Sequence, residues 1–453
     1  MEINQNKYII IGAGISGVGA ANLLAKYKAD LVLFDANKEL DIEKLKGRLA
    51  TNERLRIVIG ELEDSVIEDR EIAVLSPGVP VDSELVKRLK SKNIKIWGEL
   101  ELSYQIEKGR VFAITGTNGK TTTTSLLGEI MKNYKEKVFV AGNIGVAYTD
   151  CAYDTDKDSV TVLEVSSFQL EKIESFRPKI SCILNITPDH LDRHHTLENY
   201  IQTKESITKN QSPDDICVLN YEDENLKKFG DSANVNVLYF SSARRLDKGL
   251  YLEGDSIIYN DGTKATEICK VFELNLLGLH NYENVMAACA MAISADVPMD
   301  IIKTTIKNFK AVEHRIEFVA VKRGVYYYND SKGTNPDAAI KGIQAMTRPT
   351  YLIGGGYDKN AEFDEWINSF DGKVKKLVLI GQTREKIAET AKRNGFNDVV
   401  LADTFEEAVK ICEESACKDE AVLLSPACAS WGMFKNYEER GRIFKQLVND
   451  IKE

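Results

Sequence analysis

The run Val111-Phe-Ala-Ile-Thr-Gly-Thr-Asn-Gly-Lys-Thr-Thr122 constrains this chain more than any other. An apolar strand (Val111 to Ile114) enters a glycine-rich turn (Thr115 to Gly119), and Lys120 and Thr121 open a helix. Backbone N–H groups of such a turn and helix start converge on one place, which suits a polyphosphate. Lys120 adds a positive charge and the Thr121 hydroxyl an oxygen for Mg²⁺. A strict P-loop has glycine where this chain has Ile114, so the run is a variant. The competing reading is a tight strand-to-helix turn with a solvated lysine.

The same strand-into-glycine pattern occurs twice more, in Tyr8-Ile-Ile-Ile-Gly-Ala-Gly14 and Tyr351-Leu-Ile-Gly-Gly-Gly356. Each marks an α/β unit whose strand ends at a ligand loop or helix start. A length of 453 residues accommodates three such domains, at about 150 residues each. The expected division is 1–98, 99–311 and 312–453: Rossmann-like α/β domains at both ends and a P-loop-type domain with a mostly parallel sheet between them. The charged stretch Glu99–Arg110 reads as the first separator, and a hinge is expected near Ala311–Glu313. Strands are expected near 8–12, 30–34, 56–59 and 72–75, then 111–115, 138–140, 160–165 and 180–185. The last domain should carry strands near 326–329, 350–353, 376–380, 398–401 and 421–425.

Lys and Arg total 59 against 69 Asp and Glu, a net charge of −10. That balance argues against nucleic-acid binding through a broad basic face. The eight cysteines show neither a CxxC pair nor metal-site spacing, which fits free thiols in a reducing compartment. Tyr8–Ile11 is too short for the apolar core of a secretory leader, and no run approaches the ~20 residues that span a bilayer. A cytoplasmic protein without membrane contact is expected.

Several loops carry chemistry-bearing residues. Gly12-Ala-Gly14-Ile15-Ser16-Gly17, with Asp35 ending the next strand, matches a dinucleotide fingerprint; it also fits another nucleotide or a structural turn. Ser76-Pro-Gly78-Val79 could line the same crevice, or be an ordinary turn. Glu164 sits within an apolar strand, a costly place unless it is paired or metal-bound, and Ser166 follows it. With Thr121 and His190 it supplies enough ligands for Mg²⁺ near phosphates, although His190 could equally be a hydrogen-bonding residue. His194 and His195 read as solvated loop residues. Asn281 and Asn284 open an alanine-rich helix and could read a base edge or form its first turn. Asn329-Asp330-Ser-Lys332-Gly-Thr334 follows a strand and suits ribose and phosphate. Ser425-Pro-Ala-Cys428-Ala-Ser430-Trp431 is a small-residue loop able to cradle a small anion; Cys428 reads as packing rather than nucleophile.

Taken in order, Thr-Gly-Thr-Asn-Gly-Lys-Thr, Leu-Glu-Val-Ser-Ser-Phe-Gln-Leu, Asn-Ile-Thr-Pro-Asp-His-Leu-Asp-Arg, His-Asn-Tyr-Glu-Asn, Glu-His-Arg and Asn-Asp-Ser-Lys-Gly-Thr-Asn resemble the Mur ligase family over nearly the whole chain. Its members are ATP-dependent amide ligases of peptidoglycan assembly. The ending Leu-Ser-Pro-Ala-Cys-Ala-Ser resembles the branch that adds D-glutamate to UDP-N-acetylmuramoyl-L-alanine, and the Asp-Asn-Pro-Arg run of the dibasic branch is absent.

The resemblance implies the following roles. Gly116, Thr117, Asn118, Gly119, Lys120, Thr121 and Thr122 hold ATP phosphates, and Asn281, Asn284, His314, Arg315 and Asp330 meet the rest of ATP. Thr121 and Glu164 hold one Mg²⁺; His190 and Lys204 hold a second, Lys204 as an N6-carboxylysine. Ile15, Ser16, Asp35, Gly78, Asn143 and Ser166 serve the UDP substrate. Lys332 meets phosphate, and Thr334, Lys359, Ser430 and the Tyr437 backbone hold D-glutamate. Lys120, Glu164, His190 and Lys204 form the catalytic set of a monomeric enzyme. Ala36-Asn37 departs from a Thr-Arg pair that family members can carry after the second-strand Asp, so the resemblance does not carry over the uracil and diphosphate contacts there. The alternatives are another Mur-type ligase, a folylpolyglutamate synthetase-like enzyme, an NAD-dependent oxidoreductase built on Gly12–Gly17, and a nucleotide switch without turnover.

Overall fold

The computed structural model describes residues 3–143, 145–310, 313–359 and 361–452. The expected hinge falls largely on residues 311 and 312, which lie outside the described residues.

Strands β1 (Lys7–Ile11), β2 (Asp30–Asp35), β3 (Leu55–Ile59), β4 (Ile72–Leu75) and β5 (Lys95–Gly98) form a wholly parallel sheet in the order β3-β2-β1-β4-β5. Their unbroken apolar runs suit strands covered on both faces. The order reverses between β1 and β4, which opens a crevice at the strand C-termini, where Gly12 and Ser76 meet.

The second sheet comprises β6 (Arg110–Thr115), β7 (Val138–Gly142), β8 (Val160–Glu164), β9 (Ile180–Ile183), β10 (Ile216–Asn220), β11 (Asn236–Ser241), β12 (Gly249–Glu253), β13 (Ser256–Asn260) and β14 (Ala265–Lys270). Their order is β14-β13-β12-β11-β10-β9-β6-β8-β7, parallel except for the β12-β13-β14 meander. The third sheet orders β15 (Glu317–Lys322), β16 (Val325–Asn329), β17 (Thr350–Gly355), β18 (Val374–Ile380), β19 (Val399–Leu401) and β20 (Ala421–Leu424) as β15-β16-β20-β17-β18-β19. Only β15 runs antiparallel to its neighbour. The expected strands of all three sheets are present; β5, β10 to β14 and β15 come in addition.

The chain divides into two compact units, Met1–Val271 with Glu283–Lys307, and Phe272–Tyr282 with Asn308–Glu453. In the first, one buried cluster runs from Ile10 and Leu33 through Trp97 and Leu102 to Ala113, Leu163 and Leu219, so the first two sheets share apolar packing. In the second, Leu352, Trp366, Leu377 and Leu423 fill one side of the third sheet, and Tyr327, Ile353, Val422 and Phe444 the other.

The stretch Glu99–Arg110, read from sequence as a charged separator, is largely helical and partly buried. Glu99–Ile106 is a helix with Leu100, Leu102 and Ile106 buried, and Glu101 is buried with them. The Glu101 carboxylate accepts from the backbone N–H groups of Glu174, Ser175 and Phe176, the Ser175 hydroxyl and the Gln105 amide. Five donors stabilise a charge that water would otherwise have to hold.

Candidate active site

The glycine loop Gly116–Gly119 lies between β6 and helix Lys120–Lys132. Gly119 is left-handed, with φ 86°, and a Cβ there would lie 2.2 Å from Asn284 Oδ1. Glycine is therefore required by both conformation and space. The loop tip is pinned to the segment after β9. Thr117 N donates to Asn185 O (2.9 Å), Asn118 N to Asn185 Oδ1 (2.9 Å), and the Thr117 hydroxyl to Thr187 O (3.1 Å). Thr123 Oγ1 reaches Asn284 Oδ1 at 3.4 Å, which places Asn284 beside the loop. Thr121 and Thr122 are buried in the first turn.

Lys120 Nζ donates to Gly116 O (2.8 Å) and Thr117 O (2.9 Å). Lys204 Nζ reaches the same Gly116 carbonyl at 2.8 Å from helix Leu197–Glu205. Tyr200, one turn earlier, faces the same way: its hydroxyl lies 3.1 Å from Thr117 Oγ1, and its ring lies 4.7 Å from Lys204 Nζ. Lys204 is only 1% exposed, so it is not a surface lysine. Burial first, and then the nearby Lys120 ammonium, pull its amine well below the ordinary lysine range.

Strand register sets Glu164 beside Ile114 on β6 and Gly142 on β7, at the C-terminal edge of the sheet. Its carboxylate is buried. Asn143 Nδ2 donates to Oε1 at 3.0 Å, and Oε2 is buried with no hydrogen-bond partner among the described residues. A buried carboxylate oxygen without a donor is a ligand position for a hard cation, so the residues fit Mg²⁺. Ser166 forms a capping box with Gln169.

His190 has a left-handed backbone (φ 51°) at the start of the short helix Leu191–His194. Its ring is half exposed, packs on Phe168 (centroids 5.0 Å) and lies 3.6 Å from Asp189 Oδ2. His194 corrects the expectation of a solvated residue. It is buried, with Nε2 3.0 Å from Ser167 Oγ and its ring between Phe168 and Tyr200, and burial lowers its pKa. His195 is exposed, as expected.

In the first sheet, Asp35 closes the glycine turn: Oδ2 accepts from Ala13 N (2.7 Å) and Oδ1 from Asn37 N (2.9 Å). Ile15 is 80% exposed at the start of helix Ile15–Lys26, an unusual place for a bare isoleucine, with Ser16 next to it. Gly78 lies in the turn after β4, where Val79 N bonds Ser76 O.

In the second unit, Asp330 follows β16. Ser425 Oγ donates to its Oδ2 (2.7 Å) and Ile316 N to Oδ1 (3.3 Å). Burial pushes its carboxyl up to about 7 against those two donors and the Arg315 charge. His314 is buried with Nδ1 2.9 Å from Asn329 Nδ2, and burial lowers its pKa. Among the described residues, His314 Nε2 and Arg315 Nε are buried polar atoms without hydrogen-bond partners. Asn281 Nδ2 donates to Leu277 O (2.7 Å). Lys332 Nζ lies 5.3 Å from the Tyr437 ring. Lys359 Nζ lies 4.5 Å from the Trp431 ring. A pocket of about 40 Å³ brings Thr334 and Lys359 to the loop Ala427–Ala429, with the buried Ser430 following it. That volume suits a water or two.

Arg440 was not foreseen. It is wholly buried on helix Tyr437–Asp450 and donates to Ser331 Oγ (2.9 Å), Ser331 O (2.8 Å) and Cys428 O (3.2 Å). Burial lowers its pKa to about 10, so it stays cationic at neutral pH. It joins the two loops expected to meet phosphate and amino acid. The sequence did hold a signal: Arg440, Phe444 and Val448 are four apart, on the helix face that is buried.

The Mur ligase MurD-like N-terminal domain matches residues 6–98, the Mur ligase middle domain 114–292, and the Mur ligase glutamate ligase domain 314–428. Full-length relatives named UDP-N-acetylmuramoylalanine--D-glutamate ligase include those of Lachnospira eligens (54% identical over 451 residues) and Lachnoclostridium phytofermentans (55% over 453), each covering 100% of both chains. That of Clostridioides difficile is 43% identical over 453 residues, again with 100% of both chains covered. Among solved structures, UDP-N-acetylmuramate-alanine ligase MurC from Thermotoga maritima has a TM-score of 0.61 at 18% identity, covering 99% of this chain and 100% of its own. MurF ligase from the same organism, in complex with ADP, has a TM-score of 0.60 at 17% identity, with 99% of each chain covered. These two share the fold. The chain belongs to the Mur ligase family, on the branch whose members are named UDP-N-acetylmuramoylalanine--D-glutamate ligase.

Proposed function

We propose that this chain uses ATP to join D-glutamate to UDP-N-acetylmuramoyl-L-alanine, in the assembly of peptidoglycan precursors. The γ-phosphoryl group passes to the L-alanine carboxylate, releasing ADP. The D-glutamate amine attacks the resulting acyl phosphate, loses a proton, and expels inorganic phosphate as the amide forms. The physical difficulty is to bring a polyphosphate and a carboxylate together, so positive charge and fixed N–H donors must meet them.

The observation that carries this reading is the cluster around Gly116 and Glu164: a glycine loop at a helix start, two lysines on one carbonyl, and a buried carboxylate oxygen with no donor among the described residues. Lys120 would leave its loop carbonyls for the β- and γ-phosphates. Thr121 and Glu164 would hold one Mg²⁺, and His190 with Lys204 a second; ions bound there would supply positive charge against the phosphates. Lys204 is assigned as a carbamate. Its depressed pKa supports this, because CO₂ adds to a neutral amine, which loses one proton as the N–C bond forms. The product is an anionic oxygen ligand in place of a cation.

Ile15, Ser16, Asp35, Gly78, Asn143 and Ser166 are assigned to the UDP substrate. Asn281, Asn284, His314, Arg315 and Asp330 are assigned to ATP, and Lys332 to phosphate. Thr334, Lys359, Ser430 and the Tyr437 backbone are assigned to D-glutamate, whose entry requires the small pocket to widen as Lys359 leaves Trp431. We assign these tasks to 1–98, 99–311 and 312–453 respectively for the UDP substrate, the phosphate centre and the amino acid. The enzyme is proposed to act as a cytoplasmic monomer; the lack of CxxC or metal-site spacing among its eight cysteines suits a reducing compartment.

The test is phosphate release from ATP and Mg²⁺ with UDP-N-acetylmuramoyl-L-alanine and a panel of amino acids. Release that depends on D-glutamate is expected. Equal release with L-lysine or diaminopimelate would sink the assignment.

A further inference from the structure

Arg193 stands three residues after His190, on the short helix Leu191–His194. Its guanidinium grips both oxygens of Glu171, Nε to Oε1 at 3.2 Å and Nη2 to Oε2 at 2.7 Å. The same Nη2 also reaches the carbonyls of Val79 (3.1 Å) and Pro77 (3.4 Å), in the turn that carries Gly78. Its flat face lies 5.0 Å from the Phe168 ring, and the pair is little exposed, Arg193 at 14% and Glu171 at 10%. Lys172, the neighbour of Glu171, is buried and donates from Nζ to Ser76 O at 3.2 Å. Three carbonyls of one turn, those of Ser76, Pro77 and Val79, are thus held by cations belonging to loops around the second sheet. The turn is fixed on its other side too, by Ser76 Oγ donating to Gly12 O at 3.3 Å.

We propose that Arg193 is a positioning residue that sets the distance between the UDP-substrate turn at Gly78 and the loop that presents His190. This rests on the reading of Gly78 and His190 given above. The planar fork is what the task needs: one group satisfies a carboxylate in two places, two carbonyls and an aromatic face at once. An ammonium has neither the plane nor the span. A turn held this way presents its substrate-facing side at a fixed place relative to the phosphate loop, so the substrate carboxylate arrives where the γ-phosphate can reach it. A loss of position should appear in both binding of the UDP substrate and turnover, because reaction rate depends steeply on sub-ångström alignment.

The test uses full-length Arg193→Ala, Arg193→Lys and Glu171→Gln enzymes, with steady-state kinetics for each substrate, calorimetric binding of UDP-N-acetylmuramoyl-L-alanine, and thermal melting. Arg193→Ala should weaken UDP-substrate binding about tenfold and lower kcat about tenfold, with KM for D-glutamate within about twofold of wild type. Arg193→Lys should recover less than half of the loss, and methylguanidinium added to the alanine variant should restore part of it. If the alanine variant does not fold, Glu171→Gln carries the test, with the same selective pattern at about threefold. A folded variant with UDP-substrate affinity and kcat within about twofold of wild type would overturn the proposal. So would a loss that follows only the fraction of folded protein. Wild-type enzyme that neither binds nor turns over this substrate would instead remove the functional reading, and this inference with it.

Discussion

The side-chain nitrogens of Lys120 and Lys204 donate to one oxygen, that of Gly116, each at 2.8 Å. Burial, and then the nearby Lys120 charge, pull the Lys204 amine well below the ordinary lysine range.

Lys120→Ala tests the cation. It removes two hydrogen bonds to loop carbonyls, a stability loss of about 1 kcal/mol, so the melting transition should stay cooperative. Turnover should fall by about a thousandfold or more, because the charge acts where phosphate charge moves in the transition state. Phosphate-release assays read this. Near-normal turnover would detach the loop from catalysis.

Lys204 makes two predictions of opposite sign. Lys204→Ala should lose turnover and regain part of it with formate or acetate, which supply the missing carboxylate; no rescue would count against a carbamate. Stability should move the other way. A lysine whose folded pKa lies below its unfolded value loses a proton on folding. The unfolded state then binds more protons, and stability rises with pH up to the unfolded value near 10.4. In enzyme stripped of CO₂, Lys204→Met should melt higher than wild type at pH 7, and the gap should close as pH rises.

Asp330 gives a pH test in the second unit. Its carboxyl is raised to about 7 by burial, against an unfolded value of about 3.9. Between those values the folded state holds the proton more tightly, so its contribution is present at acid pH and lost as pH rises through 7. Asp330→Asn keeps groups that can meet Ser425 and Ile316 but cannot ionise. It should be more stable than wild type at pH 8, by about 2–4 kcal/mol, and equal to it near pH 4. Denaturant titrations across pH measure this. Turnover should fall, since the charged form is lost.

Arg440→Met should raise KM for D-glutamate more than KM for the UDP substrate. The substitution leaves the carbonyls of Ser331 and Cys428 without donors, a cost of about 2–4 kcal/mol, and frees the loop that Ser430 follows. A melting curve and substrate-specific KM values check both parts. An unchanged D-glutamate KM in a folded variant would restrict Arg440 to packing.

The parts of the site that were legible in sequence are those whose chemistry is contiguous. Gly116–Thr122 and Gly12–Gly17 announce themselves because turn, donor and helix start are neighbours in the chain, and the structure puts each at a strand end. Strands β6 to β9 read clearly as apolar runs, whereas β12 to β14 have polar or exposed ends and are joined in a meander, so their pattern resembles loop. Glu101, His194 and Arg193 were missed for another reason. Their partners lie far along the chain, and a polar side chain looks alike in sequence whether it is solvated or met by buried donors.

The buried Glu101 has a practical consequence for anyone wishing to study nucleotide capture in isolation. A fragment cut after Gly98 would keep every strand of the first sheet yet lose the helix that follows β5. It would also strip Trp97 of Glu174, whose carboxylate takes the indole N–H at 2.6 Å. Proteolysis or gene truncation at that junction should therefore yield a sticky, poorly folded piece. A soluble fragment for ligand screening must instead carry the chain at least through residues 174–176, which receive Glu101.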